Sequence, residues 1–175
     1  MKKTLCILVL GVTVLAAWPQ SARAQGKFEI VASKTYDKLL PKDFYLEGNA
    51  IPTELRNTAV LKSSSAPRVL FSLIDTAGYS SQIKQKYIGM MITEGHISVC
   101  GTSVDVGSYG FGLEKPMAPS TAEAKFHLYN QAGTEVASCT APRDASIKVP
   151  KPLAVIVDKD GNASLVLGRY KVRIE

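Results

Sequence analysis

The residues best placed to do chemistry are Asp75 and Thr76, which follow the apolar run Val69–Ile74 in "RVLFSLIDTAGYS". A carboxylate delivered to the end of a buried strand has two established uses. Beside a second carboxylate it shares one proton, and the pair activates water. Beside a phosphate it can hold a magnesium ion through water, and the amide of a glycine a few residues on, here Gly78, would meet the terminal phosphate.

Each use makes further demands on the chain. Asp75-Thr76-Ala77-Gly78 resembles the magnesium and phosphate loop of GTPases, but that loop works with an upstream GxxxxGK[ST] whose amides and lysine cradle the phosphates. Neither that segment nor a downstream NKxD is present, which excludes the nucleotide reading. With two letters exchanged, the same residues resemble the active-site loop of aspartic proteases, in which an apolar strand delivers Asp, then Thr or Ser, then Gly. "LVLGR" at 165–169 is similar to the apolar-apolar-Gly segment that supports this loop in single-lobed members. The resemblance implies Asp75 as the catalytic carboxylate with Thr76 beside it and, because the chain has one such loop, a homodimer. Ala77 stands where that family has Gly. The structural alternative is that Asp75 caps a turn while Gly78 supplies a positive φ where a strand hands over to a helix.

Other chemistries find less to work with. His96 and His127 are the two histidines, and neither "GYSSQ" nor "GTSVD" completes a GxSxG elbow around Ser80 or Ser103. His96 and Cys100 lie four apart, but "GHISVCG" reads as a strand, which puts them about 13 Å apart on one face, too far to share an ion. "DKDGN" with Ser164 has some calcium-loop oxygens, lacks the distal bidentate glutamate, and is accounted for by a hairpin. No metal and no cofactor is expected. Tyr79, Tyr87, Tyr109 and Phe111 would offer a stacking surface for sugars if a helix lay over the strand around Gly107–Gly112; ordinary core and rim packing is the simpler role.

The elements that must position these residues are mostly strands. Short apolar runs alternate with period two and are separated by turn residues, which predicts a mainly antiparallel β-sandwich or partly closed barrel. "KFEIVAS", "RVLFSLI", "HISVCG", "VDVGSYGFGL", "KFHLY", "TEVASC", "PLAVIV", "ASLVL" and "RYKVRI" read as strands. "RVLFSLI" is nearly continuous in apolar residues, as expected for a strand covered on both faces. Gly107, Gly110 and Gly112 suggest bulges or close backbone approach. "NQAG" makes a hairpin that puts Phe126 and Leu128 on one face and His127 and Tyr129 on the other. The spacing of Ile83, Tyr87, Met90 and Met91 predicts a helix over 80–93, with Ser80 or Ser81 as N-cap. Pro52 in "IPTELRN" predicts a short helical turn over 52–57. Surface loops are expected at 62–68 and 114–124.

The first 24 residues read as a secretory leader: Lys2 and Lys3, an apolar segment from Leu5 to Trp18, and a small-residue site with cleavage between Ala24 and Gln25. The rest, 25–175, has the length of one domain. Nothing in it is apolar enough for a membrane span. Removing the leader takes away Lys2, Lys3 and Arg23 and no acid, which halves the net charge from +6 to +3. With no basic run left, nucleic acid is not an expected partner. Cys6 leaves with the leader, so Cys100 and Cys139 form an even pair in an exported chain, and a disulfide is expected between them.

These readings combine into an exported, periplasmic or secreted domain of the bacterial cell envelope that binds a protein partner or a small ligand without catalysis. Asp75, Gly78, Tyr79, Tyr109 and Phe111 are the candidate contacts. The competing expectation is the Asp75-dependent hydrolase acting as a homodimer.

Overall fold

The computed structural model describes residues 27–63, 68–117 and 123–175. The expected leader with its Ala24–Gln25 junction, and the centres of both expected surface loops, lie outside the described residues.

The described residues form two antiparallel sheets packed face to face, a mainly β sandwich. The larger sheet contains β1 (Phe28–Ile30), β2 (Asp43–Leu46), β3 (Asn49–Ser63), β4 (Arg68–Ile74), β5 (Gly89–Thr93), β8 (Gly107–Glu114), β9 (Ala124–Asn130) and β10 (Glu135–Ala141). The smaller contains β6 (Ile97–Val99), β7 (Thr102–Val104), β11 (Lys151–Val157), β12 (Ala163–Gly168) and β13 (Tyr170–Ile174). Their strand orders are β1-β3-β4-β5-β8-β9-β10, with β2 added on β3, and β11-β12-β13-β6-β7. The β6–β7 hairpin therefore leaves the large sheet in mid-sequence and is met by β13 at the end of the chain, through Val99 opposite Ile174.

Alternation builds the main core between the sheets. Leu61, Val69, Phe71, Met91, Phe111, Phe126 and Leu128 point in from the large sheet and meet Val99, Leu165, Val172 and Ile174 of the small one. The other face of the large sheet is also covered. Phe44 and Leu46 of β2, Tyr36 of α1 (Tyr36–Leu39), Ile83 of α2 (Ser81–Lys86) and the adjoining Tyr87 pack there on Val60, Leu70, Ile74 and Met90. This double cover explains the unbroken apolar run of β4: Val69 and Phe71 serve one core, Leu70 and Ile74 the other.

Two expected elements are corrected. The helix predicted over 80–93 spans only Ser81–Lys86, capped by Ser80 Oγ, which accepts the Ile83 amide at 3.3 Å. Met90 and Met91 belong to β5, where both faces are buried, so two adjacent methionines each find a core and only mimic helical spacing. The turn expected over 52–57 is strand: Asp43 pairs with Pro52 and Thr53 with Ile74. Four residues, Glu54 to Asn57, then bulge out before pairing resumes at Thr58–Ser72. The Glu54 carbonyl accepts both the Thr58 hydroxyl at 3.0 Å and the Ser72 hydroxyl at 3.2 Å, which satisfies the backbone at the bend.

Two hairpins are closed by two-residue turns with positive φ at both positions, the geometry that matches strand twist. Glu47-Gly48 (φ 48° and 77°) joins β2 to β3, and Cys100-Gly101 (φ 59° and 73°) joins β6 to β7. Cys100 is disulfide-bonded to Cys139 of β10, with 5.5 Å between the Cα atoms. The expected bond is thus present, and it ties the hairpin of the small sheet to an edge strand of the large one.

Candidate functional site

The loop from Asp75 to Ser80 carries β4 into α2. The Asp75 amide donates to the Pro52 carbonyl at 2.8 Å, and Asp75 Oδ1 accepts the Ala77 amide at 3.0 Å, the turn-capping role expected of it. Asp75 and Gly78 are exposed. Gly78 does not adopt the positive φ expected of it; the turn is held by Asp75 and by the Tyr79 amide donating to the Thr76 carbonyl at 3.0 Å. Paired-carboxylate chemistry at Asp75 would need its partner from a second copy of the chain.

The candidate aromatic contacts do not share a surface. Phe111 is wholly buried in the core between the sheets, and Tyr109 packs on the same side with its hydroxyl donating to the Asp105 carbonyl at 2.9 Å. Tyr79 packs on the opposite face of the large sheet, its hydroxyl bonded to the Ala50 carbonyl. What does converge is the end of α2 with the glycine strand. Tyr87 lies over Gly110, and the Lys86 carbonyl lies over Gly112, so close approach is the role of these glycines.

Thr76 and the 165–169 segment do come together. A cleft of about 340 Å³ opens where the two sheets end, with Thr76 on one side and Leu167 and Gly168 on the other. Its apolar lining includes Leu73 of β4, Ile88, Leu113 of β8 and Pro152 of β11. Leu73, Ile88 and Leu113 pack against the inter-sheet core yet remain half-buried where they line the cleft. The polar residues are Thr76, Glu54 from the β3 bulge, Lys84 from α2 and Lys115 just past β8. Sequence reasoning missed the cleft because these residues are individually ordinary and distant along the chain. The one available signal was the pair of segments 71–80 and 165–169, read together for another reason.

A second polar cluster sits at the far end of α2. Lys86 Nζ pairs with Glu47 Oε1, donates to the Gly133 carbonyl at 2.8 Å, and lies 5.2 and 4.9 Å from the ring centroids of Tyr87 and Tyr129. The Tyr87 hydroxyl donates to Glu47 Oε1 at 2.7 Å. The Lys86 ammonium first, and the Tyr87 hydroxyl second, hold the Glu47 carboxyl below the usual range, while burial and then Glu47 push the Tyr87 phenol up. Every charge here is answered within the chain, so the cluster fastens the β2–β3 turn and the end of α2 to the β9–β10 turn.

Because the folded-state value of Glu47 is depressed, its contribution is complete above the unfolded carboxyl value of about 4.3 and is lost as the pH falls through the folded-state value below it. Glu47→Gln is expected to cost about 1 kcal/mol at pH 7. Urea unfolding repeated at pH 3 checks this: the gap to wild type narrows there, and a gap unchanged between the two pH values contradicts it.

The histidines are likewise occupied. His127 Nδ1 is 2.7 Å from Glu135 Oε2, and its ring stacks on Tyr129 with centroids 6.0 Å apart. His96 Nδ1 is 3.0 Å from Asp105 Oδ1 at the surface. Neither Ser80 nor Ser103 is hydrogen-bonded to a histidine. In "DKDGN", Asp158 Oδ1 accepts the Asp160 and Asn162 amides, each at 2.9 Å, so that carboxylate is committed to the hairpin turn. Among the described residues no group of three or more His, Cys, Asp or Glu side chains is placed to hold a metal ion. Among them too, no helix is long and apolar enough to cross a membrane. No protein-family model matches the chain, and neither a curated protein nor a solved structure is significantly similar to it.

Proposed function

We propose that this chain is an exported, noncatalytic binding domain whose ligand is a small, largely apolar molecule held in the cleft at the open end of the sandwich. The observation that carries the reading is the state of the core at that end, where Leu73, Ile88 and Leu113 remain half-buried behind a volume of about 340 Å³. That volume is at the small end of the range for ligand pockets, which are mostly apolar with a few polar groups for orientation. The residues with catalytic potential are engaged in turns and pairs elsewhere, which favours binding over turnover. The Cys100–Cys139 bond supports an oxidising compartment, periplasmic or extracellular, because reducing compartments do not maintain such bonds.

The neutral apolar dye N-phenyl-1-naphthylamine tests the reading. Its fluorescence is expected to rise on addition of the protein, and to rise several-fold less with Thr76→Trp, whose indole fills the mouth of the cleft. No enhancement with wild type, or full enhancement with a Thr76→Trp protein that melts normally, would sink the proposal.

A further inference from the structure

The cleft is not electrically neutral. Lys84 and Lys115 both line it, and among the described residues the ammonium group of neither is engaged in an ion pair or hydrogen bond. Among the described residues the lining holds one carboxylate, Glu54, whose Oε2 accepts the Asn57 side-chain amide at 2.5 Å, so the two lysines leave the cleft with a net positive charge. Thr76 adds a hydroxyl at the same cleft. Other cations near these elements are used: Lys86 is paired with Glu47, and Arg68 with Glu94. Two unengaged ammonium groups beside an apolar floor are complementary to a molecule with an anionic end and a hydrocarbon body. Lysine suits this role because its stem lies along apolar surface while its charge stays at the rim.

We propose that the ligand is a single-chain acidic amphiphile of the fatty-acid kind. Its carboxylate meets Lys84 and Lys115, and its chain covers Leu73, Ile88 and Leu113. These three side chains, from the large sheet and the approach to β5, are only half-buried, and the hydrocarbon completes the core there. The proposal rests on the cleft being a ligand site, so the experiment separates the two claims.

Calorimetric titration with decanoate below its micelle concentration compares wild type with the Lys84→Glu/Lys115→Glu and Lys84→Arg/Lys115→Arg proteins. All four exchanges are at exposed positions. The Glu pair is expected to weaken decanoate binding by about tenfold or more, through loss of two attractions and gain of two repulsions at a partly exposed site. The Arg pair is expected to bind within about twofold of wild type, and added salt to weaken wild type and the Arg pair but not the Glu pair. Uncharged 1-decanol is expected to displace the naphthylamine dye equally from all three. Decanoate binding that ignores the Glu pair overturns the acid assignment. So does a wild type that binds dye and decanol but not decanoate, and in that case the cleft reading survives. A wild type that binds none of the three overturns both.

Discussion

Replacing both Cys100 and Cys139 by Ser is expected to lower the unfolding free energy by about 4 kcal/mol. The bond closes a loop with a sequence separation of 39, and freeing a loop of that length restores to the unfolded chain an entropy of that size. Its position adds a structural consequence. The β6–β7 hairpin contributes only three residues per strand to the small sheet, pairs with β13 at Val99–Ile174 and with the chain end through two Ser98–Glu175 backbone hydrogen bonds, and buries Ile97, Val99 and Val104, so the covalent link to β10 adds to a short ladder. Urea unfolding of wild type with and without dithiothreitol, beside the double Ser protein, measures the effect. Reduced wild type and the double variant coincide if the account is right, about 10 °C below oxidised wild type in melting temperature. A difference under 1 kcal/mol would refute it.

Gly112→Ala is expected to cost about 3 kcal/mol, the upper end of overpacking effects. A Cβ there would stand 2.2 Å from the Lys86 carbonyl oxygen and 3.3 Å from its carbon, and backbone cannot rotate aside as a side chain can. Either β8 or the end of α2 has to move. Because α2 also carries Lys84, dye binding in the cleft is expected to fall with stability. Gly78→Ala is the control: its φ is not in the left-handed region and a Cβ there meets nothing within 4 Å, so the change stays within about 0.5 kcal/mol. Equal costs at the two glycines would show that the contact of α2 on β8 is not what Gly112 provides.

The sequence announces this architecture wherever burial is one-sided. His127 and Tyr129 do oppose Phe126 and Leu128, and the DKDGN turn lies where turn chemistry puts it. Period two is lost where both faces are covered. In "YIGMMIT" every apolar residue has a core to enter, so the pattern fits a helix as well as β5, and only Gly89 marks the end of the helical stretch. Residues 51–57 deceive for another reason: Pro52 is compatible with a helix start, but also with a strand whose next residues bulge. The Cys100–Cys139 bond was legible because those two cysteines remain once Cys6 is assigned to the expected leader. The cleft was not, because it is defined by where two sheets stop. Sheet ends depend on register between strands far apart in the chain, and no local composition encodes that.

The placement of β6 and β7 also bears on how the molecule assembles. The hairpin emerges before β8, β9 and β10, yet its lateral partner, β13, is the last strand of the chain. Until the C-terminal meander docks, one flank of the hairpin presents unpaired amides and carbonyls, an open template for another chain. Joining elements so distant along the chain is entropically slow. The interval before β13 arrives is therefore when association between molecules competes with folding. Refolding yields that fall with protein concentration, and more steeply for a chain truncated after residue 150, would reveal that competition.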